Sequence, residues 1–411
     1  MHARLGSSVR VACAGVVALA AAPVAAQAGP EDGPPADELV SDWQIGPFYA
    51  KPTLEVSDLG YDSNPFNRAD GASDVTAQVA PGIRLALPMG DHVLSIHQKL
   101  GYSFYQDESD RNTWGMQTDI GLELLAGGLR LDLEESLRRT NGVLSVERLA
   151  RPLRVSNTFT ANAVSDRQAG GYIEAEFRHR VVRFDQEEVL DDRSTAEDFD
   201  STVIDGRLEL FLDLFDPARL VLGGDAIRHD FRFGSPDRDA RGYFVYSGFR
   251  MEPQRGWRGT VRVGYRRFEV GDQVADDHAG VGVDGNLAID LSDGATLRLR
   301  GRRNSRFTDV SADNFGVATR LGGDLLLSLG GRNGVELTYA WSDVRYPLDL
   351  EDSNRFDGKY EFRSFGGSLL FAVSDEVMVE FGAAYRDLAS DDRLDYDGVS
   401  LTTGFRYGIG G

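Results

Sequence analysis

The sequence predicts an all-β protein, a transmembrane antiparallel up-and-down β-barrel of about 18 strands preceded by a signal peptide. Three observations carry that expectation. Apolar residues recur at every second position along most of the chain, the connections alternate between short and long, and the N-terminus has the make-up of an export leader.

The alternation is clearest at Val75, Ala77, Val79, Pro81, Ile83, Leu85 and Leu87. It returns at Ala279, Val281, Val283, Gly285, Leu287, Ile289 and Leu291, and at Trp257, Gly259, Val261, Val263 and Tyr265. A period of two is a strand with one apolar and one polar face. These runs outlast ordinary globular strands and are long enough to cross a bilayer at a tilt, which takes about 9–11 residues. Pro81 sits inside one of them and cannot donate to a ladder, so a bulge is expected there.

Strands are predicted over 47–61, 74–87, 92–105, 113–125, 129–140, 153–165, 171–184, 201–214, 219–233, 242–251, 257–270, 278–291, 295–308, 314–329, 335–346, 359–373, 377–388 and 396–409. One set of connections is short and built from Gly, Pro, Asp and Ser, as at 88–91, 126–128, 216–218, 292–294, 330–334 and 374–376. Those residues fix tight turns. The other set is longer and acidic: 62–73, 106–112, 185–200, 234–241, 271–277, 347–358 and 389–395. Short turns belong to the periplasmic end of such barrels and long loops to the outside. The two sets interleave so that both termini fall on the periplasmic side. Aromatic residues gather near the strand ends. Tyr102, Phe104, Trp114, Tyr265, Phe315, Trp341, Tyr360 and Tyr385 lie toward the loops, and Phe48, Trp257, Phe371, Phe405 and Tyr407 toward the turns. Two girdles at the membrane interfaces are the expected reading.

Residues 1–28 read as the leader: Arg4 and Arg10, an apolar core from Val11 to Val24, and a small-x-small site at Ala26-Gln27-Ala28. The apolar stretch is shorter than the roughly 20 residues of a spanning helix. Residues 29–46 form an acidic, Pro-rich periplasmic lead-in, too short to plug a pore, and 47–411 form the barrel. Cys13 falls in the leader, so the exported chain carries no thiol chemistry, disulfide or cysteine-ligated metal. A secreted soluble β-protein is the competing architecture, and strand length with the contrast in connections favours the barrel.

Composition excludes several classes. Net charge is −21, and loss of Arg4 and Arg10 with the leader takes it to −23, which argues against a nucleic-acid partner. The exported histidines His92, His97, His179, His229 and His278 show no ligand spacing, and no phosphate loop or Ser-centred elbow occurs. No catalytic residue, cofactor or metal is assigned, and an enzyme is not expected. The acidic pairs Asp191-Asp192, Asp276-Asp277 and Asp391-Asp392 lack calcium-loop spacing and read as solvated loops. The fairly apolar segment 142–152 is a candidate for folding into the bore.

The polar face carries the functional signal. Arg298, Arg300, Arg302, Asn304 and Arg306 alternate along one strand, and the preceding upward strand supplies Arg258, Arg262 and Arg266. Other upward strands place Arg138, Arg178, Arg180, Arg228, Arg232 and Arg386 toward the loop end of the same face, with parity least clear at Arg228 and Arg232. A lumen ring of guanidinium groups favours anions. Glu134, Glu174, Glu176, Asp205, Glu209, Asp213 and Asp284 share that face and are available to neutralise it.

Pro52-Thr53-Leu54-Glu55 followed by Gly60-Tyr61-Asp62-Ser63-Asn64-Pro65-Phe66 resembles the opening of the outer-membrane β-barrel porins of proteobacteria whose genes lie near exopolysaccharide loci. The resemblance implies a pore in the bacterial outer membrane and, beyond that, polysaccharide traffic with periplasmic polysaccharide-export proteins as partners. Such a barrel sits in outer-membrane lipid and lipopolysaccharide and is folded by the barrel-assembly machinery. The C-terminus departs from the usual aromatic ending: it finishes Tyr407-Gly408-Ile409-Gly410-Gly411, which shifts the assembly signal to Phe405 or Tyr407. The alternatives are a general diffusion porin and a surface-structural or adhesive barrel acting through its acidic loops.

Overall fold

The computed structural model describes residues 43–65, 71–140, 153–166, 170–184, 189–190, 193–194, 199–215, 217–232, 239–252, 256–270, 278–307, 315–345, 359–390 and 395–408. The leader, the three acidic pairs and the segment 142–152 lie outside the described residues.

The chain forms a closed 18-strand antiparallel barrel. Its strands are β1 (Phe48–Asp62), β2 (Asp74–Met89), β3 (His92–Tyr105), β4 (Thr113–Ala126), β5 (Leu129–Thr140), β6 (Arg154–Ser165), β7 (Gly171–Phe184), β8 (Ser201–Phe215), β9 (Ala218–Phe231), β10 (Ala240–Met251), β11 (Trp257–Val270), β12 (His278–Ser292), β13 (Ala295–Phe307), β14 (Phe315–Gly330), β15 (Asn333–Arg345), β16 (Lys359–Ala372), β17 (Val377–Ser390) and β18 (Tyr396–Tyr407). Each strand pairs with the next, and β18 pairs back onto β1, with Tyr407 opposite Leu54 and Ser400 opposite Asp62. Closure leaves no open edge, so every strand finds backbone partners on both sides, as a bilayer core demands. Three residues of the expected lead-in fold too: Trp43–Ile45 pairs with the start of β1.

Glycine makes the short turns. Gly127 and Gly128 join β4 to β5 at φ +55° and +85°, and Gly330 and Gly331 lead out of β14 at +102° and +60°. Side chains with a Cβ rarely adopt that region.

Cross-strand register fixes the two faces, because directly opposed residues share one. Leu208, Val245, Val263, Val281, Leu321 and Leu401 point outward and are exposed on the isolated barrel. Outward aromatics gather toward both ends, among them Trp114, Tyr243, Tyr265 and Tyr385 on the loop side and Phe249, Trp257 and Phe371 on the turn side. Tyr360 is the exception to the expected girdle. It points inward, into a buried cluster with Ala318, Val344, Leu388 and Tyr396.

Pro81 is accommodated without the expected bulge. The β2–β3 register is the same before and after it, with Val79 opposite Tyr102 and Gly82 opposite Lys99; the ladder skips Ala80 and Pro81 instead. The bulge lies next door on β1, where the register shifts between Ser57 and Gly60 and Asp58 takes φ +53°.

The motif at 60–65 closes the seam at the loop end. Asp62 accepts two hydrogen bonds from Arg386 Nη2 on β17, at 2.6 and 2.8 Å. Ser63 exchanges bonds with Val399 on β18, and Asn64 Nδ2 donates to the Asp397 carbonyl at 3.2 Å. Asp74 at the start of β2 accepts from the backbone N–H groups of Gln106, Asp107 and Glu108 at 3.0–3.1 Å, tying the next loop down.

Candidate functional site

Parity sends the polar residues of β7 to β14 into the lumen, and the register sets them in rows. One row runs Phe211, Val221, Gly248, Arg262, Asp284, Arg302, Arg320 across β8 to β14. The row toward the loops is Glu209, Gly223, Tyr246, Gly264, Gly282, and the one beyond it Arg207, Asp225, Phe244, Arg266, Gly280. Toward the turns lies Asp213, Arg219, Arg250, Thr260, Asn286, Arg300.

Within these rows arginines alternate with rings and carboxylates. Arg262 makes a bidentate pair with Glu209, at 2.6 and 2.9 Å, and Tyr246 donates its hydroxyl to the same carboxylate at 3.0 Å. Glu209 is only 2 % exposed, so this pair is desolvated and sustained by its hydrogen bonds. The remaining guanidinium faces lie over rings: Arg266 is 4.5 Å from the Phe244 centroid, Arg250 5.0 Å from Phe211, Arg219 5.3 Å from Tyr172 and Arg262 5.8 Å from Tyr246. A planar guanidinium stacks on an aromatic face in a way an ammonium does not. Glycine gives the rings room. A Cβ on Gly264 would meet the Val245 carbonyl oxygen at 2.0 Å and Tyr246 Cβ at 2.7 Å, and one on Gly282 would meet the Phe244 ring at 2.7 Å.

The network thins toward β13 and β14. Asp284 is shared by Arg262 at 3.5 Å and Arg302 at 3.3 Å, and Arg320 stands directly opposite Arg302. Arg302 is 49 % exposed, against 13 % for Arg262. Arg300 pairs with Asp324. Arg258 and Arg298 flank Ala288, and neither forms an ion pair among the described residues.

The other predicted residues divide. Arg178 lies in the lumen between Glu176 and Asp205, the latter at 3.9 Å, and Arg266 approaches Asp225 at 3.8 Å. Arg138 approaches Asp119 at 3.9 Å on the far side of β5, and Arg180 faces the lumen beside Thr158 and Val203. Arg386 faces inward but is 8 % exposed and committed to Asp62 in the seam. Arg232, just past β9, pairs with Asp200 at 3.6 Å. Arg306 stands opposite Gly316, and its side chain lies outside the described residues.

Arg228 must be corrected. It stands opposite Ile204 and Arg241, on the outward face, with Nε donating to Asp230 at 2.7 Å. On β9 the inward positions include Val221, Gly223 and Ile227, so the apolar-equals-lipid rule fails there.

Sequence reading missed Arg207, Arg219, Arg250 and Arg320, and the inward rings Tyr172, Phe211, Phe244 and Tyr246. The signal for Arg207 was present, since it alternates with Asp205 and Glu209. None was present for Phe244 and Tyr246, because Tyr243 to Tyr246 is apolar on both faces.

The barrel is similar in fold to the FrpB iron transporter of Neisseria meningitidis (F5-1 variant), at 10% identity and TM-score 0.51 over 86% of this chain and 63% of that one. It also aligns with OccK5 (OpdH) of Pseudomonas aeruginosa, at 12% identity and TM-score 0.46 over 88% and 98% of the two chains. A third alignment is with a mutant of the ferric enterobactin receptor PfeA of Pseudomonas aeruginosa, at 10% identity and TM-score 0.46 over 87% and 80%. Among curated proteins none matches. A family model described as "Putative beta-barrel porin 2" matches residues 43–406, nearly all of the described chain, and the protein belongs to that family of bacterial outer-membrane β-barrels.

Proposed function

We propose that the barrel is a non-enzymatic pore whose arginine-rich wall favours anionic solutes, with acidic polysaccharide as the substrate class. The observation that carries this reading is the row Arg262, Asp284, Arg302, Arg320, in which Arg302 is half exposed on the lumen side and shares Asp284 with an Arg262 that Glu209 already holds. Arg258 and Arg298, on the turn side of that row, add two guanidinium groups toward the periplasm, with Asp324 opposite Arg298 held by Arg300. Rings of arginine select anions, and guanidinium binds carboxylate bidentately. Local charge outweighs the acidic whole because salt screens charges beyond about 8–10 Å. Polysaccharide rather than a small anion is favoured by the resemblance of the opening motif to porins from exopolysaccharide loci, and by the width of an 18-strand barrel.

A general diffusion porin is the second reading, favoured by the closed pairing of Arg262 with Glu209. Conductance of the purified barrel in planar bilayers separates the two. The anionic pathway predicts chloride preference and block by oligogalacturonate at concentrations where neutral maltodextrin has no effect. Equal block by both sugars, with no ion preference, contradicts it.

A further inference from the structure

The outward face of β9 to β11 near the loops carries a second arginine group that serves neither the lumen nor the seam. Arg228 on β9 and Arg241 on β10 are direct cross-strand partners, and Glu269 on β11 is the next residue in that line. Like charges directly opposed in a sheet are destabilising, and here Asp230 and Glu269 offset the pair from its two sides without bridging it. Asp230 accepts from Nε of Arg228 and Asp239 adds a nearby negative charge, but among the described residues nothing accepts a hydrogen bond from its terminal Nη atoms. Arg267 stands one step toward the membrane, with Glu269 3.0 Å from its Nε.

Height and surroundings identify what the pair meets. Tyr243 and Tyr265 lie on the same outward face just below, with ring centroids 6.4 Å apart, and Val245 and Val263 follow toward the middle of the strands. Aromatic rings mark the headgroup level of a barrel and exposed valines its hydrocarbon zone. The arginines therefore stand where lipid headgroups end and loops begin.

We propose that Arg228 and Arg241 form a binding site for the phosphate of an outer-leaflet glycolipid, with the Tyr243 and Tyr265 rings against its sugar and upper acyl region. Two guanidinium groups bridged by one phosphate relieve the like-charge contact and supply charge-assisted hydrogen bonds. A free phosphate could meet the same guanidiniums, but only a lipid also covers the tyrosines and valines beneath. The site is independent of the pore's selectivity.

The test uses the full barrel in phosphatidylcholine nanodiscs titrated with bisphosphorylated lipid A, with dephosphorylated lipid A and with inorganic phosphate, read by native mass spectrometry. The double variant Arg228→Gln/Arg241→Gln should lose about tenfold or more in affinity for bisphosphorylated lipid A, since each arginine near an anionic surface contributes on the order of fivefold. Dephosphorylated lipid A should bind wild type as weakly as bisphosphorylated lipid A binds the variant. Arg302→Gln, a lumen change, should bind as wild type, and heat-modifiable gel migration should show that every variant is folded. Undiminished lipid A binding by the folded double variant overturns the site. Inorganic phosphate displacing lipid A at equal concentration overturns the lipid assignment.

Discussion

The lumen has two unlike walls. From β7 to β14 it is crowded with arginine, carboxylate and stacked rings, and Phe211, Val221, Phe244 and Glu209 are nearly or wholly buried inside a pore wall. From β15 to β18 only the middle of the strands is lean: Thr338, Gly366, Ala384 and Ser400 form one row and Gly382 and Thr402 follow Ser368 in the next, below the buried Tyr360 and Leu388 cluster at the loop end. In a closed ring of 18 strands β7, β8 and β9 face β16, β17 and β18, so the first part of the crowded wall looks across at the lean stretch. Both walls present the same apolar exterior. The difference therefore lies on the lumen side and not on the membrane side.

If the crowded wall is a cooperative network, removing its centre should cost most. Glu209→Leu strands Arg262 and Tyr246 without their acceptor and should destabilise the barrel by about 3–5 kcal/mol, whereas Ser368→Ala on the lean wall should stay within about 0.5 kcal/mol. Thermal unfolding followed by heat-modifiable migration measures both. The pair change Glu209→Leu/Arg262→Met should recover much of the loss, since an apolar pair of similar volume can replace a buried ion pair.

The exterior should not distinguish the walls. Val263→Arg behind the crowded wall and Leu401→Arg behind the lean one each put a charge near the lipid midplane, at about 2–4 kcal/mol. Similar losses of folded barrel in membranes are expected. A loss confined to one side would mean that the other is covered by protein instead of lipid.

Packing gives a smaller contrast. Gly264→Ala drives a methyl into the Val245 carbonyl and should cost about 1–3 kcal/mol, while a Cβ at Gly404 on β18 meets nothing nearer than the Val56 carbonyl oxygen at 3.4 Å and should cost little. Thr338→Arg should also be tolerated, folding within about 1 kcal/mol of wild type because the middle of the lean wall has room. Its effect should appear in single-channel conductance.

The barrel was legible because its determinants are local and repeated. Period-two contrast on strands such as β2 and β12, and turn residues such as Gly127-Gly128, repeat the same information many times over. Closure was implied by the barrel itself, but the Asp62–Arg386 clamp at the seam was not legible, since it joins residues far apart in sequence. The site was half legible. Parity placed Arg262, Arg300 and Arg302 correctly, yet which carboxylate each meets depends on register across neighbouring strands, which alternation does not encode. Where both faces of a strand are apolar or mixed, as on β9 and β10, parity loses its meaning, and that is where Arg228 was misplaced and Phe244 and Tyr246 were missed.

The central claim is that the crowded wall governs which ions pass. Reversal potential across a planar bilayer under a potassium chloride gradient at low salt tests it most directly, comparing wild type with Arg258→Ser/Arg298→Ser/Arg302→Ser. Wild type should prefer chloride. The triple variant should shift toward potassium with folded yield unchanged, because none of the three sits in the buried Glu209 pair. A reversal potential identical in the two proteins would contradict the account and leave the arginines as structure alone.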